Sequence, residues 1–159
     1  MIIVVEGPDG AGKTTLAKKL AEALEYPYFH FGEPEPGVDQ FMMSREFLAN
    51  HNKGIIDRFY PSGIVYGEIM RGKPDFSPSQ VAMLEGQFGK NIVMLYLTGD
   101  PSILWDRCQE RGEDYVLDKK TFMEICRRYD EVMLEAKHSI PVHPVVLNGN
   151  VLSVEGLDG

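Results

Sequence analysis

Apolar residues along this chain alternate between two spacings. Ile2 to Val5 is an unbroken, largely β-branched run, which predicts a strand buried on both faces. Leu16, Leu20, Ala23 and Leu24 follow at helical spacing and predict a helix from about Thr14 to Leu24. Tyr28 to Phe31 reads as a second strand, Gly32 to Gly37 (GEPEPG) as a loop, and Asp39 to Ala49 as a second helix. Lys53 to Asp57 (KGIID) reads as a third strand, and Ser62 to Met70 as a helix ended by Gly72 and Pro74. Ser77 and Pro78 supply the cap and first turn of another helix. Asn91 to Leu97 is the longest buried-looking strand; Pro101 to Arg111 and Thr121 to His138 read as helices, and Val142 to Leu147 as a last strand. Strands alternating with helices predict a parallel sheet covered on both faces, with ligands at the carboxyl ends of the strands. The loop at Gly7, the segment at Asp57 and the stretch after Leu147 should therefore converge.

The turn between the first strand and the first helix reads G-x-x-x-x-G-K-T from Gly7 to Thr14. This is a phosphate-binding loop in the strand–loop–helix context that gives the motif its meaning. Gly7, Gly10 and Gly12 let the backbone turn tightly and bring its N–H groups close to phosphate oxygens. The following helix aims its positive end at the same phosphates. Lys13 adds a mobile charge for the β- and γ-phosphates, and the Thr14 hydroxyl is a ligand for Mg²⁺. Asp57 and Arg58 stand at the end of the third strand. The carboxylate suits Mg²⁺ held through a water, and the guanidinium suits a phosphate gripped by two hydrogen bonds.

Composition narrows the partners. A chain of 159 residues is one domain by size, with room for a sizeable core. No apolar run approaches a membrane span, and Met1 leads straight into the first strand without a signal peptide. Cys108 and Cys126 show no metal or redox spacing and read as buried thiols of a cytoplasmic protein. The formal charge of −8 argues against long nucleic acid as the main partner, while a nucleotide needs only a few local cations. Arg107, Arg111, Arg127 and Arg128 supply such a cluster late in the chain. The four histidines show no ligand spacing, and Trp105 and the methionines read as packing residues.

Three stretches resemble the thymidylate kinase family: EGPDGAGKTT; DRFYPSGIVYGEIMRG with Ser62, Tyr66 and Arg71-Gly72; and PSILWDRCQERGED followed by Phe122 and Arg127-Arg128-Tyr129. The resemblance runs through most of the chain in order. It implies a three-layer P-loop kinase fold over residues 1–159, a five-stranded parallel sheet with helices on both faces and a short lid at about 107–118. It implies transfer of the ATP γ-phosphate to a deoxynucleoside monophosphate, dTMP or a related deoxynucleotide, with Mg²⁺. Gly7, Asp9, Gly10, Ala11, Gly12, Lys13, Thr14 and Thr15 would bind the donor nucleotide, and Asn148 with Gly149 its adenine. Asp9 would also bond the acceptor's 3′-hydroxyl, with Phe41, Arg45, Arg58 and Tyr66 holding the rest of that substrate. Thr14 and Asp57 would hold the metal; Lys13, Asp57, Arg58 and the lid's Arg107 and Arg111 would be the catalytic groups. The family also implies a homodimer.

The chain departs from that pattern in three places. The arginine expected before Glu-Pro-Gly is absent from Pro34-Glu35-Pro36-Gly37; Asp114-Tyr115 stands where a second lid arginine is expected; and the sequence ends at Gly159, too soon for the full last helix that the resemblance implies. The first departure leaves a rival open, a deoxynucleoside kinase using Glu33 or Glu35 as base toward a 5′-hydroxyl. Two further readings are a nucleotide-binding switch or ATPase without a small acceptor, and a kinase of polynucleotide ends. No Walker-B aspartate run and no N-K-x-D supports the switch, and the acidic charge disfavours the polynucleotide substrate.

Overall fold

The computed structural model describes residues 1–112, 116, 118–148 and 151–154, with the backbone alone for 148 and 151–154. The chain alternates strand and helix: β1 (Ile2–Glu6), α1 (Lys13–Leu24), β2 (Tyr28–His30), α2 (Gln40–Asn50), β3 (Gly54–Asp57), α3 (Tyr60–Arg71), α4 (Pro78–Phe88), β4 (Ile92–Gly99), α5 (Pro101–Glu110), α6 (Lys119–Asp130), β5 (Val142–Asn148) and β6 (Val151–Val154). The sheet order is β2-β3-β1-β4-β5-β6. The expected five-stranded parallel α/β sheet is present, and β6 extends it as an antiparallel edge strand paired with β5.

Register explains why the strand ends meet. β1 lies between β3 and β4, with Val5 opposite Asp57 and Glu6 opposite Tyr96. The connection leaving β1 runs to β2 on one side and the connection leaving β3 crosses to β4 on the other, so a crevice opens beyond the carboxyl ends of β1 and β3. The strands around it are buried because helices cover them: Val4, Val5, Ile55, Ile56, Met94 and Leu97 have no exposed surface. Along α1 only Lys13 and Ala17 are buried, with Leu16, Leu20 and Ala21 packed against the core. Ser77 and Gln80 form a reciprocal capping box on α4, as its sequence predicts. Both cysteines are buried, and they form no disulfide. Among the described residues no helix is long and apolar enough to cross a membrane.

The helix expected to run to His138 ends earlier. After α6 the chain makes a π-helical turn, Glu131–Glu135, closed by the Ala136 amide on the Glu131 carbonyl at 2.9 Å. Ala136 is extended, which swings His138 back into the protein. There His138 Nδ1 lies 2.6 Å from Glu85 Oε1 and Nε2 2.5 Å from the Val132 carbonyl. Both partners only accept hydrogen bonds, so the doubly protonated ring fits this setting. The Tyr60 hydroxyl and the Ser139 amide donate to the same carboxylate, at 2.9 and 3.1 Å.

This pair ties α4 to the π turn and makes stability depend on pH. The Glu85 hydrogen bond raises the His138 pKa above its ordinary 6.5, against the opposing effect of burial. Its contribution is complete below 6.5 and is lost as pH rises through the raised value. For Glu85, burial alone would raise the pKa, but His138, the Ser139 amide and the Tyr60 hydroxyl together lower it from 4.5. That contribution is complete above 4.5 and is lost as pH falls through the lowered value. The pair is therefore worth most between pH 4.5 and 6.5. Thermal unfolding across pH 5 to 9 should show the melting temperature declining from about pH 6.5 upward, and His138→Gln should flatten that decline. An unchanged slope in the variant would assign it to another group.

Candidate active site

The phosphate loop is held open by glycines that no other residue replaces. Gly7 has φ 146°, and a Cβ there would lie 2.1 Å from the Leu97 carbonyl oxygen of β4. Gly10 has φ 81°, and its Cβ would lie 2.6 Å from the Leu104 carbonyl oxygen. Gly12, also left-handed, precedes α1, and no side chain caps that helix. The first-turn N–H groups of α1 thus remain for an anion at the helix end. Lys13 is buried; its Nζ donates to the Pro8 carbonyl at 2.9 Å and lies 3.8 Å from Asp9 Oδ1. Burial, reinforced by the nearby Arg58 charge, pulls its pKa down to about 8.

Asp57 closes β3 under this loop with no exposed surface. Thr14 Oγ1 and the Tyr28 hydroxyl both donate to its Oδ2, each at 2.7 Å. Oδ1 is buried and accepts no hydrogen bond among the described residues. A carboxylate oxygen left over beside a threonine hydroxyl is a hard-oxygen donor set that suits Mg²⁺. No cluster of three His, Cys, Asp or Glu side chains that could hold a metal occurs among the described residues. A magnesium ion takes one or two protein oxygens and completes its shell with water and phosphate, and Asp57 and Thr14 could supply the protein share.

The next residue, Arg58, has φ 70°, in the left-handed region that costs a side-chain-bearing residue about 1–2 kcal/mol. Two anchors impose it. The Arg58 amide donates to the Val5 carbonyl at 3.1 Å, and the Phe59 amide donates to Glu6 Oε1 at 2.5 Å. Glu6 also accepts from the Ser62 amide at 3.2 Å, the Ser62 hydroxyl at 2.7 Å and the Tyr129 hydroxyl at 3.3 Å. Burial raises the Glu6 pKa, opposed by these donors and by the charges of Arg58 and Lys13. The outcome is an Arg58 guanidinium paired with Asp9 and resting 5.0 Å from the Tyr66 ring centroid.

The phosphate loop, Lys13, Thr14 and Arg58 share one cavity of about 500 Å³, and Asp57 and Glu6 lie buried behind its wall. Of the residues expected in the site, Asp9, Gly10, Gly12, Lys13, Thr14, Thr15, Arg58, Tyr66 and Arg111 line it. Ala11 is buried in the core behind the loop. Phe41 and Arg45 are not brought there: Phe41 packs against the core and Arg45 is exposed. The adjacent face of α2 takes that wall, through Gln40 and Ser44. Arg107 is off the wall, although its Nη1 is buried without a hydrogen-bond partner among the described residues. Glu33 lines the cavity, whereas Glu35 lines only an adjoining space of about 590 Å³. Asn148 ends β5, but its side chain and Gly149 lie outside the described residues, as do positions 113–115 and 117 of the expected lid.

Sequence reasoning missed Glu6, Tyr28 and Asp75, and it named Ser62 and Arg71 within the resemblance without giving them a role; Ser62, Arg71 and Asp75 line the cavity. Glu6 abuts the phosphate loop, and a lone carboxylate closing an apolar strand was the available signal.

No family model matches the chain. Over 138 residues it is 31% identical to the SPbeta prophage-derived uncharacterized protein YorR of Bacillus subtilis, covering 85% of this chain and 83% of that protein. It is 28% identical over 158 residues to the "Probable thymidylate kinase" of Archaeoglobus fulgidus, covering 80% and 79%. The crystal structure of YorR in complex with phosphorylated GDP superposes with a TM-score of 0.79 at 28% identity, over 94% of this chain and 86% of that one. Deoxyadenosine kinase from M. mycoides with bound dATP gives a TM-score of 0.60 at 17% identity, over 95% and 92%, and shares the fold.

Glu6→Gln replaces an acceptor-only carboxylate with an amide whose NH₂ faces donors. Urea unfolding should show a loss of about 2 kcal/mol, the scale of hydrogen bonds to a buried charge. Unchanged stability would remove Glu6 as the anchor of the Arg58 backbone.

Proposed function

The chain belongs to the family of the Bacillus subtilis prophage protein YorR, and on that premise we propose that it is a Mg²⁺- and ATP-dependent kinase of deoxynucleoside monophosphates. One observation carries the reading: Asp57, with a buried oxygen beside Thr14 that is unpaired among the described residues, directly precedes Arg58, and Arg58 shares a cavity with the phosphate loop. The cavity continues past Arg58 along α3 to Arg71, which leaves space for an acceptor beside the donor phosphates. A switch without a small acceptor needs no such space. The resemblance to thymidylate kinases, and the relative so named, support a deoxynucleoside monophosphate as acceptor; they name dTMP first, and the wall beyond Arg58 decides the base.

In this reading a phosphate oxygen of the acceptor attacks the γ-phosphorus, the bond to the β-phosphate oxygen breaks, and ADP leaves. Such a transfer asks the protein chiefly for position and charge. The loop amides and Lys13 hold the donor's β- and γ-phosphates. Arg58 draws the two reacting phosphates together, and Arg111, on the same wall, neutralises charge beside them, while Arg107 stands behind that wall. Asp9 bonds the acceptor sugar, and Tyr66 lines its side of the cavity. Thr14 and Asp57 would hold Mg²⁺, which when bound neutralises charge on the transferring phosphates. Gly10 stands where some thymidylate kinases carry an arginine, so the cations come from Lys13, Arg58 and the lid.

One observation favours a second reading. Glu33 lines the cavity, and no arginine occupies 34–37, so a nucleoside whose 5′-hydroxyl gives its proton to Glu33 is the rival acceptor. Incubation with Mg²⁺, ATP and a panel of nucleosides and monophosphates separates the two. A diphosphate product supports the proposal, a monophosphate made from a nucleoside supports the rival, and ADP release without a phosphorylated acceptor overturns both. Lys13→Ala should abolish transfer while far-UV circular dichroism stays unchanged. Because Lys13 loses its charge through about pH 8, kcat/KM should fall above that pH. Arg45→Ala should leave the acceptor KM within about twofold, as expected of an exposed side chain away from the cavity.

A further inference from the structure

The segment after α3 does not hang free. Gly63 and Gly67 lie four apart and so share one face of the helix. A Cβ at Gly63 would come 2.8 Å from the Phe76 ring, and one at Gly67 would come 2.7 Å from the Lys73 carbonyl oxygen. With both positions bare, residues 73–76 fold back onto the helix. The Lys73 amide donates to the Gly67 carbonyl at 3.0 Å, and the Asp75 amide to the Gly63 carbonyl at 3.1 Å. Phe76 is buried, 6.1 Å from the Tyr60 ring. Asp75 is thereby fixed with its Oδ2 2.8 Å from Arg71 Nη2. Both side chains line the main cavity and the adjoining one; the Arg71 side chain is 27% exposed and that of Asp75 17%, so the pair sits at the open rim of the cavity.

Their place in the cavity is informative. Ser62, Gly63, Tyr66 and Arg71 line it in order along α3, from the Arg58 end outward. At 1.5 Å per residue, Arg71 lies roughly 13 Å beyond Ser62 along the helix. A nucleotide whose phosphate meets Arg58 therefore directs its base toward Arg71 and Asp75, past the rings of Phe31, Phe59 and Phe76. Aromatic walls with a few convergent polar groups are what a small planar ligand requires.

We infer that Arg71 and Asp75 read the edge of the acceptor's base, and that they select a base with an exocyclic amino group, cytosine or guanine, over thymine. The inference rests on the kinase reading above. Arginine only donates and an ionised aspartate only accepts. Guanine offers a carbonyl oxygen followed by two N–H groups, which match a guanidinium followed by a carboxylate. Cytosine offers an amino group followed by two acceptors, which match the pair in the reverse sense. Thymine places one N–H between two carbonyl oxygens, so a carboxylate that takes the N–H also faces a carbonyl.

Steady-state rates with dCMP, dGMP, dAMP and dTMP test this. Wild type should use dCMP or dGMP with a kcat/KM about tenfold or more above that for dTMP, the scale of one good base contact. Asp75→Asn, whose amide can donate to a thymine carbonyl, should narrow that ratio through the acceptor KM while the ATP KM stays unchanged. Best use of dTMP by the wild type overturns the inference, as does a ratio unmoved in a folded Asp75→Asn protein. Calorimetric titration with each monophosphate, without ATP, keeps the two failures apart. Tight binding of dCMP or dGMP without transfer overturns the kinase reading and retains the base edge. Equal binding of dTMP overturns the base edge alone.

Discussion

The site depends on a buried carboxylate that touches no substrate in our reading. Glu6 ends the central strand, and its oxygens gather the amides of Phe59 and Ser62 and the hydroxyls of Ser62 and Tyr129. It thereby joins the end of β1 to the start of α3 and to α6. Arg58 lies inside that knot and accepts a left-handed backbone because its neighbours are pinned on both sides. A charge buried without donors would be expelled or neutralised; four donors and two nearby cations let it stay. The phosphate loop and the segment at Asp57 are thus one rigid unit rather than two neighbouring loops.

Much of this unit was legible in the sequence because its signals are local. A glycine motif between a strand and a helix fixes both the loop and its ligand class, and a strand that ends in Asp-Arg marks the opposite wall. The alternation of strands and helices sufficed for the parallel sheet. What failed to show was decided by tertiary packing. On α2 the apolar pattern does not mark the buried face, since Met42 and Met43 are exposed while Ser44 is buried. The pair Phe41 and Arg45 was therefore placed toward the cavity, and the adjacent face holds that position. The π turn that frees His138 has no period of its own, so α6 read as continuous. The strand β6 had a signal, Asn148-Gly149 between two apolar runs, but a hairpin is unexpected at the edge of a parallel sheet.

The two ends of the cavity are built differently. Near the phosphate loop, backbone amides and glycine conformations define the chemistry, so side chains there have little freedom to vary. At the far end the wall is a short segment laid over two glycines of α3, and its polar groups are side chains. In our reading donor binding is thus written into the main chain, while the choice of acceptor is written into residues that a substitution can exchange without disturbing the sheet.

The unpaired oxygen of Asp57 carries a thermodynamic consequence. Burying an acceptor without a donor costs the folded chain about 1–3 kcal/mol, a cost the unfolded chain avoids in water. Any ion or phosphate-bound metal that engages this oxygen in the folded state alone is linked to folding by mass action. In the kinase reading, occupancy of the cavity by a nucleotide and its metal then adds directly to the stability of the fold.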